Sequence, residues 1–347
     1  MLHQIIVSSG NTPVAIEAHS LETIEKVAQL FSLRIQPPSQ SLPENSWTLA
    51  IHATSRERPT AAGCEIEVEF GKTAEMWPTP LKLLYYYETG GLFEIDKANR
   101  RITIHNPSAT GLIVDAYRSI RQITIAANVD EGRPCIHAAA VSKDGKGVAI
   151  LGPKGAGKTT LSAALCAHFG WRQFANDKVF VAQGNTFDRF AESPGIVVNS
   201  IRLIPDFRTR WSEMLASRPI APFTIFRDHP DLPSVRELDA LPAQTKLYLT
   251  EQEYLSFLRT ERDFSARLTA VIVLDTRRAG SATLAPSASA GYDQHVDDLD
   301  VFPDWLEIRD EKRLDFGPWE AAPAFVLSGS AAPHEAAAMV NELIART

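Results

Sequence analysis

Apolar and polar positions along this chain recur with two periods, and the change from one to the other marks out its elements. From Ser20, the stretch SLETIEKVAQLF puts Leu21, Ile24, Val27, Ala28 and Phe31 on one face at helical spacing, behind a serine suited to an N-cap; an amphipathic helix is expected there. PPSQSLPENS, 37 to 46, reads as a loop. WTLAIHAT, CEIEVEF, KLLYYYE and the pair GLFEID and RRITIH read as strands, the last two joined by a turn around Lys97 to Arg100. Helical spacing returns in TGLIVDAYRSIRQITIAANV, 110 to 129, through Leu112, Ile113, Ala116, Tyr117, Ile120 and Ile123.

Beyond that helix the pattern turns to strand and helix in alternation. CIHAAAV and GVAIL read as strands, a helix follows from Lys158 to about His168, then a strand WRQFA and a hairpin from VFVAQG and TFDRF. The segment from Pro205 to Pro242 is rich in Pro and Arg and, apart from one short helix RTRWSEML, lacks periodicity; it is expected to be a long loop system of the kind that overlies active sites. LTAVIVLD, 268 to 275, is a continuous apolar run expected as a buried central strand, and PHEAAAMVNELIA closes the chain as a helix. The Ala/Ser stretch 279 to 290 and the acidic DQHVDDLD, 293 to 300, read as solvated loop.

Composition narrows the classes. With 347 residues and 44% hydrophobic content the chain buries a sizeable core, enough for two domains. A net charge of -7 argues against a duplex nucleic-acid partner, which calls for a basic face. Cys64, Cys135 and Cys166 are far apart with no CxxC pair, so neither a disulfide framework nor a zinc site is suggested and a reducing cytoplasm is the expected location. No signal-peptide pattern and no apolar run of membrane-spanning length is found, so no membrane partner is expected. The sequence leaves the oligomeric state open, a homo-oligomer included.

The junction GVAILGPKGAGKTTLSAAL, 147 to 165, carries the chemistry. Gly152-Pro153-Lys154-Gly155-Ala156-Gly157-Lys158-Thr159 satisfies GxxxxGK[ST], the Walker A pattern, after an apolar run and ahead of a helix. Its glycines allow successive backbone N–H groups to turn inward and wrap a polyphosphate, and the helix N-terminus adds partial positive charge. Lys158 is expected to reach the β and γ phosphates and Thr159 to complete Mg²⁺ coordination, with Thr160 following in the same nucleotide-binding stretch. A translational GTPase would need NKxD and DxxG, and Asn176-Asp177-Lys178 has similar letters in the wrong order. An ABC-type ATPase would need a full LSGGQ, which Leu327-Ser328-Gly329-Ser330 is not.

Two further residues fit a phosphotransfer site. His137 lies in CIHAAAV, and Asp177 follows WRQFA; in a parallel sheet a residue just past a strand's carboxyl end lies beside the phosphate loop. Asp177 there would bind Mg²⁺ or accept a hydroxyl proton. Arg202, Arg208, Arg210 and Lys246 are further candidates for contact with phosphate or an acidic acceptor.

In this order, IHAAAV, the glycine loop and GWRQFANDKV resemble the catalytic core of the HPr kinase/phosphorylase family over roughly residues 130 to 205. That resemblance implies a P-loop α/β catalytic domain related to phosphoenolpyruvate carboxykinase, while the change of pattern ahead of the helix at 110 to 129 puts a domain boundary near residue 105; the expected division is an N-terminal mixed α+β accessory domain over 1–105, which would hold or present the acceptor, and the catalytic domain over 106–347. It implies ATP and Mg²⁺ bound by Lys158 and Thr159, His137 approaching the phosphoryl group, and Asp177 as the second residue of the family's aspartate pair. The first of that pair is Asn176 here, which is no proton acceptor, so its role passes to Asp177 or His137. The element that supports HPr recognition, EIRGLGI, has no counterpart in VVNSIRLIPDF, although Arg202 falls in that region. The expected activity is an ATP- and Mg-dependent serine kinase acting on a peptide or small protein; the alternatives are a small-molecule kinase and a non-catalytic nucleotide-binding regulator.

Overall fold

The computed structural model describes residues 2–9, 12–31, 34–36, 46–68, 72–189, 194–217, 232–263, 266–275, 280–287, 304–309, 316–329 and 331–346. The chain is mixed α/β and divides into two compact units: Met1–Gly132 with Leu299–Leu314, and Arg133–Asp298 with Asp315–Thr347. Among the described residues no helix is long and apolar enough to cross a membrane.

The first unit is built on one sheet of β1 (His3–Ser9), β2 (Thr12–Ala18), β3 (Arg34–Gln36), β4 (Trp47–His52), β5 (Cys64–Glu67), β6 (Thr73–Trp77), β7 (Lys82–Tyr86), β8 (Gly91–Asp96) and β9 (Arg101–His105), in the order β3-β1-β2-β4-β9-β8-β7-β6-β5. β2, β4 and β9 are parallel neighbours, and the run from β9 to β5 is antiparallel. Along β9 the side chains alternate as the strand period requires, with Ile102 and Ile104 fully buried and their neighbours half-buried. Its turn from β8 is closed by the Asp96 carboxylate, which accepts from the backbone N–H and side-chain amide of Asn99 at 3.0 and 2.8 Å.

Helices α1 (Leu21–Phe31) and α2 (Ala109–Asp130) pack on each other and on this sheet. Ser20 Oγ accepts from the Thr23 N–H at 3.3 Å, as its N-cap reading anticipated, and Ser108 Oγ does the same for Gly111 at 3.1 Å. α2 lies against β2, β4 and β9 with Leu112, Ala116, Ile120 and Ile123 buried, so it belongs to the first unit. The observed division therefore falls at Gly132, beyond the helix, where the sequence pattern had put it near residue 105. A second departure is the return of a distant segment: Trp305 is stacked on Tyr86 at 6.3 Å and edge-on to Phe93 at 5.6 Å.

In the second unit β10 (Cys135–Ile136), β11 (Ala139–Lys143), β12 (Lys146–Leu151), β13 (Arg172–Ala175), β14 (Val179–Ala182), β15 (Thr186–Arg189) and β18 (Arg267–Asp275) run in the order β10-β14-β15-β18-β12-β11-β13. β16 (Gly195–Val197) and β17 (Lys246–Tyr248) form a separate antiparallel ribbon. β19 (Thr283–Ser287) pairs with β20 (Ala324–Ser328), which in turn lies parallel to β18. The helices are α3 (Lys158–Phe169), α4 (Val198–Leu203), α5 (Phe207–Ser217), α6 (Val235–Leu238), α7 (Glu251–Leu258), α8 (Gly317–Glu320) and α9 (Pro333–Arg346). One sheet face packs under α3, α5, α7 and α9, and the other buries Phe174, Phe187 and Trp319.

β18 is the buried central strand its apolar run predicts, and VFVAQG with TFDRF does pair as a hairpin. Four expectations change. The sheet is mixed, not parallel, because β11 runs antiparallel to both β12 and β13 and lies between them. CIHAAAV is two strands with a break at His137. The 279 to 290 stretch contains β19, and RTRWSEML extends into an eleven-residue helix with Trp211 and Phe207 buried. The expected loops over 37–45 and 293–300, and the part of the Pro- and Arg-rich segment at 218–231, lie outside the described residues.

Candidate active site

β12 delivers the chain into a loop, Gly152–Gly157, whose glycines have φ of 149° at Gly152, 83° at Gly155 and 100° at Gly157, backbone settings that a side chain disfavours. Gly157 then starts α3 in the left-handed conformation, and Gly170 ends it the same way. A Cβ on Gly152 would also be tightly placed, 3.0 Å from Leu274 Cβ and 3.1 Å from Leu274 O. Lys158 opens the helix and folds back over the loop, its Nζ donating to the Gly152 carbonyl at 2.7 Å and to that of Pro153 at 3.4 Å. The ammonium is thus positioned above the loop with carbonyls as its present partners.

Sheet register brings the other two residues to this end. Ala139 of β11 pairs with Ile150, so His137, at the break two residues before β11, lies toward the end of the sheet where the glycine loop leaves β12. Ala140 pairs with Ala175 on the far side, so Asp177, two residues further on, lies next to His137. His137 Nε2 and Asp177 Oδ1 are 3.1 Å apart, and Lys178 Nζ lies 2.7 Å from Asp177 Oδ2 with its side chain fully buried. Burial of Asp177 opposes its ionisation. The Lys178 ammonium, the hydrogen bond from His137 and the charge of Lys246 outweigh that, and hold the carboxyl well below the usual carboxylate range.

Asn176 points elsewhere. Buried at 7% exposure, its Nδ2 donates to the Gly195 carbonyl and its Oδ1 accepts from the Tyr254 hydroxyl, each at 3.4 Å. The remaining basic candidates divide sharply. Lys246, on β17, is one of the positive charges that favour the ionised form of Asp177. Arg202 donates to the Leu238 and Leu241 carbonyls and closes the end of α6, Arg208 is paired with Asp239, and Arg210 is buried on the Leu258 and Ala167 carbonyls. Those three are fastened to the scaffold. Thr160 Oγ1 is 2.6 Å from Ser200 Oγ and joins α3 to α4, whereas Thr159, half-buried in the first turn, lends only its carbonyl, to Ser162 Oγ.

Two residues escaped the sequence reading. Lys178 was visible only as a neighbour of Asp177, and nothing in its spacing indicates that it is the fully buried counter-charge. Asp275 had a signal: an apolar strand ending in a carboxylate. Because Leu151 pairs with Val273 in parallel, Asp275 comes level with the beginning of the glycine loop. Neither a protein-family model nor a curated protein matches this chain.

Proposed function

We propose that this protein is an ATP- and Mg²⁺-dependent kinase that moves the γ-phosphoryl group to a hydroxyl, a serine of a peptide or small protein, within an HPr kinase-like P-loop domain. The observation that carries the reading is that strand register puts the His137–Asp177 pair at the end of the sheet where the glycine loop leaves β12. Oxygen donors suit magnesium, which keeps waters and phosphates in its shell and needs only one or two carboxylates from the protein. Thr159, Asp177 and Asp275 are the oxygen donors we assign to it, Asp275 because β18 brings it level with the beginning of the glycine loop.

Bound Mg·ATP supplies the phosphoryl group and neutralises part of its charge. The residues of the chain do the rest. Loop amides and Lys158 hold the phosphates, Lys158 exchanging its carbonyl partners for phosphate oxygens. Asp177, ionised throughout the neutral range, aligns the acceptor hydroxyl or holds the metal, and His137 stands beside it to do the aligning when the metal takes the carboxylate. Wild-type protein given labelled Mg·ATP with serine peptides and, separately, hydroxyl metabolites is expected to label a peptide. Lys158→Ala is expected to lower the transfer by at least about a hundredfold; transfer at the wild-type rate in that variant overturns the proposal.

A further inference from the structure

We propose that His19, His52 and His105 form an acid-sensitive switch in the first unit: a ladder of imidazoles that fastens the carboxyl ends of β2, β4 and β9 together while neutral and loosens them on taking up protons. The switch lies wholly within that unit and stands apart from the kinase reading. Register makes the ladder. Ala18 pairs with Ile51 and His52 with His105, all in parallel, so His19 and His52, each next along its chain, come side by side as well. The His52 ring lies between the other two, stacked on His105 with 5.1 Å between centroids and 14° between planes, and tilted against His19 at 5.9 Å and 52°. His19 immediately precedes Ser20, the cap of α1, and His105 stands shortly before Ser108, the cap of α2.

Neutral, these rings pack; charged, they repel one another, and two of them would stand ahead of helix N-termini whose partial charge is already positive. The carboxylates around them have guanidinium partners. Glu17 of β2 is paired with Arg101 of β9 at 2.8 Å and accepts from Gln4 of β1 at 3.1 Å. Glu94 of β8 lies between Arg56, from the loop after β4, and His105 Nε2 at 2.7 Å, while His105 Nδ1 is 3.4 Å from Thr54 Oγ1. α1 brings Glu22, paired with Lys26 at 2.6 Å, and α2 has no acid in its first turn. Glu17 and Glu94 are thus balanced by Arg101 and Arg56, and each proton the ladder takes up adds positive charge to a neutral patch. Burial, then His105, His19 and Arg101, lower the pKa of His52 against the pull of Glu17; burial and Arg56 lower that of His105. The unfolded chain takes up these protons more readily, so the stability the ladder lends is present above about pH 6.5 and is lost as pH falls through the lowered folded values. Asp115, bonded to Asn106 beside His105, titrates in the opposite sense.

Hydrogen exchange of the full chain, followed by mass spectrometry at about pH 7.5 and about pH 5.5, on either side of the ordinary histidine range, tests the switch in wild type, His52→Gln and His19→Gln. Comparing proteins at the same pH cancels the intrinsic pH dependence of exchange, and Asp115, present in all of them, drops out with it. On going to the lower pH, exchange at the ends of β2, β4 and β9 and in the first turns of α1 and α2 is expected to accelerate at least about threefold more in wild type than in His52→Gln. His19→Gln, at an exposed position, is expected to fall between the two, and segments of the second unit to show no such difference. An acid-induced increase that is equal in wild type and His52→Gln overturns the proposal, because a histidine that only fills space affects exchange alike at both pH values. A difference spread evenly over both units overturns it too, since that reports a general weakening by acid and not a local switch. If His52→Gln does not fold, His19→Gln decides on the same comparison.

Discussion

Asn176 and Asp115 show how the surroundings of a single polar side chain decide what it can do. The amide of Asn176 both donates and accepts, linking Gly195 to Tyr254 in a buried setting. Asn176→Asp would turn a carboxylate oxygen toward the Gly195 carbonyl, so the family-like aspartate pair is expected to cost about 1–3 kcal/mol in chemical denaturation and to bring no gain in transfer rate; a faster variant would refute this account. Asp115, wholly buried on α2, is the opposite case. Burial raises its pKa to about 6 from 3.8, against hydrogen bonds from Thr89 at 2.6 Å and Asn106 at 2.8 Å. The folded state therefore holds its proton more tightly than the unfolded state does, and the stability this lends below about pH 4 is lost as pH rises to about 6, a loss of roughly 3 kcal/mol. Asp115→Asn is expected to remove that part of the pH dependence, read as the difference between wild-type and variant unfolding free energies at pH 4 and 6.5.

The glycine loop belongs to the scale of elements, because its shape is made by the strand before it, the helix after it and the strand beside it. GVAIL and the helix were legible from pattern alone, as was GxxxxGK[ST] between them. What no local pattern expresses is that Leu274, from a strand more than a hundred residues later, packs against Gly152. Gly152→Ala combines an unfavourable φ with that contact, and is expected to abolish the ATP binding proposed for this loop, read by calorimetry, while helix content in the circular dichroism spectrum is kept. His137 makes the same point in reverse. Its sequence suggests a residue inside one strand, but β10 pairs with β14 while β11 pairs with β12 and β13, and the break between them turns the imidazole to Asp177.

At the scale of the whole molecule, sequence distance and spatial distance come apart. The boundary near residue 105 followed a change of pattern, and α2 crosses it because its apolar stripe is covered by strands that precede it. The segment around Trp305 crosses far more of the chain to return to the first unit, where it meets Tyr86 and Phe93, with Glu307 on Lys82 and the Arg309 carbonyl accepting from Lys97 at 2.7 Å. Trp305→Ala is expected to destabilise the first unit by about 3–5 kcal/mol in urea unfolding, and a change below about 0.5 kcal/mol would refute that packing role.

The sequence by itself determined what depends on neighbours within a turn or a strand length: the amphipathic helices, the first with its serine cap, the alternating strands, and the glycine spacing that frees the backbone of the loop. Only the tertiary structure decided which charges meet. That Asp177 is held between His137 and Lys178, that Arg202 closes a helix, and that Asn176 turns away all follow from strand register and burial. Electrostatic energies depend on distance and on exclusion of water, and neither is a property of a residue until the chain has folded around it.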